Sequence, residues 1–257
     1  MPRRADGVLL DLDGTVYQEG RAIPGAAEAL AALRRSGVPF RFTTNTTRRP
    51  RSVLAEQLTG LGIPARREEI LSAPAAAAEW LRGQGIGRIH LLIAAATHEE
   101  FADFTLDDRT PEAVVVGDLG AEWTFQILNQ AFRCLMDGAA LLAVQRNRYW
   151  QTDGGLSLDA GPFVAALEYG SGKTATLVGK PSPAFFAAAA HQLGAPPDRI
   201  AVVGDDLESD VAGARAAGMI GVAVRTGKYR PQDEDRARAA AVTVLDSIAG
   251  LPGWLGL

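Results

Sequence analysis

Two carboxylates one residue apart, Asp11 and Asp13, follow directly on the apolar run Val8-Leu9-Leu10 and are themselves followed by Gly14-Thr15. The apolar run predicts a buried strand and Gly-Thr the turn that ends it, so both acids stand at a strand's carboxyl end. In an open α/β sheet that edge faces the ligand crevice. Three more stretches repeat the pattern: Thr44-Asn45 after Phe40-Arg41-Phe42-Thr43, Lys180 after Val178-Gly179, and Asp205, Asp206 and Asp210 after Ile200-Ala201-Val202-Val203. Strands lying side by side would converge these ends on one point. Crowded carboxylates repel, which raises a pKa or recruits a cation. Mg²⁺ suits such a place because it binds through a few carboxylates and keeps waters and phosphate oxygens. Lys180 adds a permanent positive charge, and the Thr44 hydroxyl and Asn45 amide add neutral donors. A metal, an ammonium and a hydroxyl around one point suit a phosphate. A carboxylate can attack phosphorus and split one hard displacement into two, while a second acid protonates the leaving oxygen and later activates water. In this reading Asp11 is the nucleophile and Asp13 the general acid/base.

The elements that must position these residues follow the rhythm of a parallel sheet wound with helices. Pro24-Gly25 opens a helix over 26–35 stopped by Gly37, a strand follows over 38–43, and Leu54, Leu58 and Leu61 mark a helix over about 50–61. Residues 76–176 keep the α/β rhythm but read as an inserted domain. It holds strands at 89–93, 113–116 and 140–144, a helix facing inward through Phe125, Leu128, Phe132 and Leu135, and a hairpin signal at Asp153-Gly154-Gly155. The outer segments, 1–75 and 177–257, form the main domain. Its second half has a helix over 183–193, a buried strand over 200–203, a helix over 210–217, and strands at 220–224 and 242–245.

Composition bounds the partners. The chain has 257 residues, 47% hydrophobic and 22% charged, with a net charge of −4. A packed core is expected, and a basic footprint for nucleic acid or an anionic membrane is not. The single cysteine, Cys134, has no partner for an intramolecular disulfide and reads as buried packing. No stretch reads as a signal peptide or a membrane span, so a cytoplasmic protein is expected. Gly170-Ser171-Gly172-Lys173-Thr174 looks like the tail of a P-loop, but the first glycine that motif needs falls at Leu167. His90, His98 and His191 are too scattered for a zinc site.

Asp11-Leu12-Asp13-Gly14-Thr15, Thr44-Asn45, Lys180 and Gly204-Asp205-Asp206 through Asp210 resemble, in order and setting, the four motifs of the haloacid dehalogenase (HAD) superfamily phosphatases. The long insert resembles the α/β cap of the NagD-like subclass IIA, which includes nucleotide and p-nitrophenyl phosphatases. The resemblance implies a Rossmann-like α/β core with an inserted cap, and a Mg²⁺-dependent phosphatase acting on a small phosphorylated compound. It further implies Asp11 as nucleophile, Asp13 as acid/base and as a metal ligand through its carbonyl, and Thr44, Asn45 and Lys180 on the phosphate. Asp205 would hold Mg²⁺ with Asp11 and Asp13, and Asp206 and Asp210 would stand just behind the metal. Arg146, Asn147, Arg148 and Tyr149 are the cap's candidates for substrate selection, and a homodimer is an oligomeric state open to such a chain. Asp13, in the acid/base position, separates a phosphatase from a dehalogenase, which has no alkoxide to protonate. Two rivals use the same residues: a phosphoacceptor signalling module, and a binding protein that keeps the fold without turnover. Pyrophosphate or phosphoamide hydrolysis is the alternative within the enzyme class.

Overall fold

Val8, Leu9 and Leu10 are all fully buried, as a strand covered on both faces of a parallel sheet requires. They belong to the strand Gly7–Asp11, which pairs in parallel with Phe40–Thr44 on one side and Ile200–Gly204 on the other. The computed structural model describes residues 4–152 and 154–257. Asp153 of the predicted hairpin turn and the first three residues lie outside them.

The chain divides into two compact units. The first comprises Met1–Thr44, Arg51–Leu71 and Lys180–Leu257, the second Asn45–Pro50 and Ser72–Gly179. The first is built on a six-stranded sheet in the order Thr243–Leu245, Ile220–Val224, Ile200–Gly204, Gly7–Asp11, Phe40–Thr44, Ile70–Ser72. From Gly7–Asp11 the chain steps outward in one direction, then returns at Ile200 to build on the other side. The strand order therefore reverses between Gly7–Asp11 and Ile200–Gly204, the place where open α/β sheets bind ligands. One face packs Leu10, Leu12, Phe42 and Val203 against Leu30, Leu33, Leu54 and Leu58 of the helices Ala26–Arg35 and Arg51–Gly60.

The second unit has its own five-stranded sheet, in the order Thr176–Leu177, Ala140–Ala143, Ala113–Val116, Arg88–Leu92, Thr105–Leu106, all pairings parallel. Val115 faces one hydrophobic cluster and Val114 and Val116 the other, the alternation a two-sided strand imposes. The predicted hairpin is present as Tyr149–Thr152 against Gly155–Leu158, antiparallel. Cys134 is buried, its thiol bonded to the Asp108 carbonyl at 3.3 Å and pushed up in pKa by burial.

Three expectations are corrected. The strand before Lys180 is Thr176–Leu177, and it pairs with Ala140–Ala143 in the second unit's sheet, not beside Asp11's strand. Leu177 and Val178 pack into the second unit's core, which draws the pairing there. Lys180 lies instead in the turn before the helix Pro183–Leu193, whose first turn is capped by the Ser182 hydroxyl accepting from the Ala184 N–H. The helix expected over 210–217 is a π-helical turn, Leu207–Ala212, followed by a short α-helix, Gly213–Ala216. Phe125, expected to face inward, is 77% exposed in the first turn of its helix. The strands Ile70–Ser72 and Thr105–Leu106 escape a reading by periodicity because two or three residues contain no period.

Burial separates two phenylalanines in stability. Phe42→Ala should cost about 3–5 kcal/mol in urea unfolding, since the ring is fully buried. Phe125→Ala should stay within about 0.5 kcal/mol. Equal costs would contradict the packing described.

Candidate active site

Register brings the acids together first. Leu10 lies opposite Val203 and Asp11 opposite Thr43, so Asp11, Thr44 and Asp205 emerge at neighbouring levels on one sheet edge. Asp11, Asp205 and Asp210 are buried, and each offers an oxygen within 4.8 Å of the others'. The Lys180 ammonium donates to Asp11 Oδ1 at 2.5 Å and to Asp210 Oδ1 at 2.6 Å, with only 3% of its side chain exposed. Three carboxylates against one ammonium leave two negative charges in excess when all are ionised.

Asp206 and Asp210 reach the site through the π-helical turn. The Asp206 carboxylate caps it, accepting from the N–H groups of Glu208 at 2.9 Å and Ser209 at 3.0 Å. A helix starting only at the expected position, 210, would have placed Asp210 at its N-terminus. The π turn instead leaves Asp210 1% exposed against Lys180, and such turns recur at functional sites. Bare backbone makes room for these acids. A Cβ on Gly204 would stand 2.2 Å from Asp210 Oδ2, and one on Gly14 would stand 2.1 Å from Asp205 Oδ2. Gly14 also has φ +87°, a conformation that side chains disfavour.

The loop after the strand Ile220–Val224 completes this wall, and the sequence reading gave it no role. The Lys228 N–H donates to Asp205 Oδ2 at 2.6 Å, and the Thr226 hydroxyl donates to the Gly14 carbonyl. The Lys228 ammonium lies 3.6 Å from Asp206 Oδ2. The signal was available: Thr226-Gly227-Lys228 is a fifth strand end carrying a glycine and a cation.

Burial pushes the pKa of Asp205 up to about 6, helped by the charge of Asp210 and opposed by the Lys228 N–H. Burial likewise pushes Asp210 up to about 6 against the pull of Lys180. Asp11 is raised by burial and by Asp205, again against Lys180. Lys180 is raised despite its burial, because Asp11 and Asp210 hold it charged. Asp206 is lowered despite its burial, by the Ser209 and Glu208 N–H groups and the Lys228 charge. Two acids held near 6 and an uncompensated charge excess make an all-oxygen donor set that fits a hard divalent cation.

The remaining candidates distribute as follows. Thr44 is buried at the end of its strand. Asp13 is exposed, in the turn where the Gly14 N–H donates to the Tyr17 carbonyl. Asn45 belongs to the segment that groups with the second unit. Arg146, Asn147, Arg148 and Tyr149 are all exposed in the second unit. Arg146 is held by Glu168 at 2.6 Å, and the Asn147 N–H donates to Gln145 Oε1 at 2.5 Å. Gln145 in turn bonds the buried Asp159 that caps the helix Ala160–Ser171.

A haloacid dehalogenase-like hydrolase family model matches residues 8–107, and a second, HAD-hydrolase-like, matches 177–251. Haloacid dehalogenase-like hydrolase domain-containing protein 2 of Homo sapiens is 42% identical over 234 residues, covering 91% of this chain and 89% of the relative. Phospholysine phosphohistidine inorganic pyrophosphate phosphatase of Homo sapiens is 39% identical over 249 residues, covering 95% and 91%. Among solved structures, a 4-nitrophenylphosphatase from Thermotoga maritima superposes with a TM-score of 0.89 at 28% identity, covering 97% of each chain. NagD from E. coli superposes at 0.88 and 26%, covering 97% of this chain and 98% of its own.

The raised acids give a pH test. Between their ordinary value near 3.8 and about 6, Asp205 and Asp210 hold protons more tightly folded than unfolded. The metal-free fold therefore loses their contribution as pH rises through that window. A cation that binds at the ionised cluster reverses the loss. Mg²⁺ should raise Tm more at about pH 7.5 than at about pH 5, the comparison with and without metal at each pH cancelling other groups. Equal shifts at both would count against the cluster as the metal site. Gly14→Ala, which drives a methyl into Asp205, should abolish the Mg²⁺-dependent shift; a shift of normal size would show that the glycine is not needed.

Proposed function

The chain belongs to the haloacid dehalogenase-like hydrolase family, and on that premise we propose that it is a Mg²⁺-dependent phosphatase working through an aspartyl-phosphate on Asp11. The observation that carries this reading is the Lys180 ammonium held between Asp11 and Asp210 with Asp205 alongside, at the point where the sheet's strand order reverses.

Lys180 binds Asp11 through Oδ1, opposing the effect of burial on the carboxylate and fixing its direction for attack. Asp11 forms a bond to phosphorus as the bond to the leaving oxygen breaks. Asp13 gives that oxygen its proton, then takes one from the water that hydrolyses the acyl phosphate and releases inorganic phosphate. Giving up that proton leaves Asp13 as the carboxylate the second step needs, and the proton taken from water restores the acid for the next turnover. Thr44 and Asn45 would donate to the phosphoryl oxygens and Lys180 would balance their charge. A divalent cation, when bound, neutralises the excess carboxylate charge and draws electron density from the phosphoryl group. Asp11 and Asp205 would hold it, with the main-chain carbonyl of Asp13 as the resemblance implies, and Asp206 and Asp210 behind them.

The second unit is read as a cap inserted over 76–176, with Arg146, Asn147, Arg148 and Tyr149 as candidates for substrate selection. Small phosphorylated compounds, a cytoplasmic setting and a homodimer belong to the same reading. The phosphoamide and pyrophosphate bonds in one relative's name stand as the alternative to a phosphate monoester.

Purified protein with Mg²⁺ should release phosphate from p-nitrophenyl phosphate over many turnovers, and EDTA or Asp11→Asn should stop it. Asp13→Asn should bind Mg²⁺ normally and turn over about 10²–10⁴-fold more slowly. A stable phosphoprotein without repeated turnover would replace this reading with the phosphoacceptor one, and an undiminished rate in Asp13→Asn would remove that residue from its role.

A further inference from the structure

Two ammonium groups serve the acid cluster, and they are held in opposite ways. Lys180 is buried, with its Nζ engaged at 2.5 and 2.6 Å by Asp11 and Asp210. That geometry commits it to the transferred phosphoryl group. Lys228 has its main chain pinned to the same cluster through its N–H on Asp205. The Thr226 hydroxyl on the Gly14 carbonyl holds the loop, as does a contact so close that a Cβ on Gly227 would stand 2.5 Å from Gly14 Cα. Its side chain nevertheless is 73% exposed, and its ammonium stands 3.6 Å from Asp206, beyond direct hydrogen-bond length. Asp206 Oδ1 already accepts two N–H groups of the π turn, so its position is fixed by the backbone while the Lys228 charge acts on it from a distance. A loose, exposed ion pair of this kind is weak and readily exchanged for a better anion.

We propose that the Lys228 side chain is a specificity-determining contact for the non-transferred part of the substrate, selecting phosphoryl compounds whose leaving group is itself anionic, a diphosphate above all. The inference rests on the phosphatase reading. A rigidly anchored Cα beside Asp205 with a flexible four-carbon stem presents a positive charge at the solvent side of the cluster. A second phosphoryl group bonded to the one facing Lys180 and the metal would carry its charge outward, toward the exposed Lys228 ammonium. An uncharged phenol offers that ammonium nothing to bind. The Lys228 charge also favours the ionised forms of Asp11 and Asp205, so a purely electrostatic role would alter every substrate alike. That difference is what an experiment reads.

With Mg²⁺ present, binding of methylenediphosphonate and of inorganic phosphate would be measured by calorimetry for the wild type, Lys228→Met and Lys228→Arg. Values of kcat and KM for pyrophosphate and p-nitrophenyl phosphate would be measured alongside. Loss of a charge-assisted hydrogen bond predicts that the ratio of the diphosphonate Kd to the phosphate Kd rises about tenfold or more in Lys228→Met. The pyrophosphate KM should rise by a similar factor relative to that for p-nitrophenyl phosphate, and Lys228→Arg should restore most of the selectivity. Equal weakening of both ligands would overturn the proposal in favour of a general field effect, and unaltered binding of both would reduce Lys228 to a solvated counter-charge. Should the wild type hydrolyse neither compound, the phosphatase reading fails, while the diphosphonate-to-phosphate ratio still decides the contact.

Discussion

A buried ammonium between two buried carboxylates is the constraint on which this structure turns. Lys180, Asp11 and Asp210 come from three separate stretches of chain, and each would be costly to bury without the others. Lys180 makes the burial of Asp11 tolerable, and Asp210 holds Lys180 where it can reach Asp11. The cluster remains over-supplied with negative charge because Asp205 stands beside it. An arrangement optimised for stability alone would have balanced the charges. The residual excess makes an all-oxygen donor set of the kind that suits a hard divalent cation.

The same crowding explains the backbone around the acids. Gly14, Gly204 and Gly227 each lie where a methyl group would collide with a carboxylate. The π-helical turn Leu207–Ala212 does related work from the other side. It lets Asp206 cap the turn while Asp210, four residues on, points back to Lys180. Gly221 permits this by leaving room for Val211, which a Cβ would meet at 2.8 Å. The acids are thus placed by strand ends and by the absence of side chains as much as by any bond they make.

The second unit also rests on a parallel sheet. Its five strands bury aliphatic side chains on both faces, and a buried polar pair follows Ala140–Ala143. There Gln145, bonded to the helix cap Asp159, fixes the backbone that carries Arg146 through Tyr149.

Much of this was legible in the amino-acid order. Apolar runs ending in Asp11 and Asp205 announced strands and where they stop, because burial on two faces demands nearly continuous aliphatic sequence, and Phe40 and Phe42 marked the strand that ends in Thr44. The motif residues themselves were visible for the same reason. Tertiary structure alone decided how they meet. Lys180 looked like the end of a strand in the same sheet, yet its strand is paired elsewhere and the lysine arrives from a turn. Asp210 was expected just behind the metal with Asp206, yet it is one of the three acids drawn together and bonds Lys180 directly, and Lys228 carried no role at all. Local sequence records which face of an element is apolar. Distances between charges set by sheet order, by a widened helical turn and by glycine contacts depend on residues up to about two hundred positions apart (Thr226 on Gly14 is the plainest case), and no local pattern encodes them.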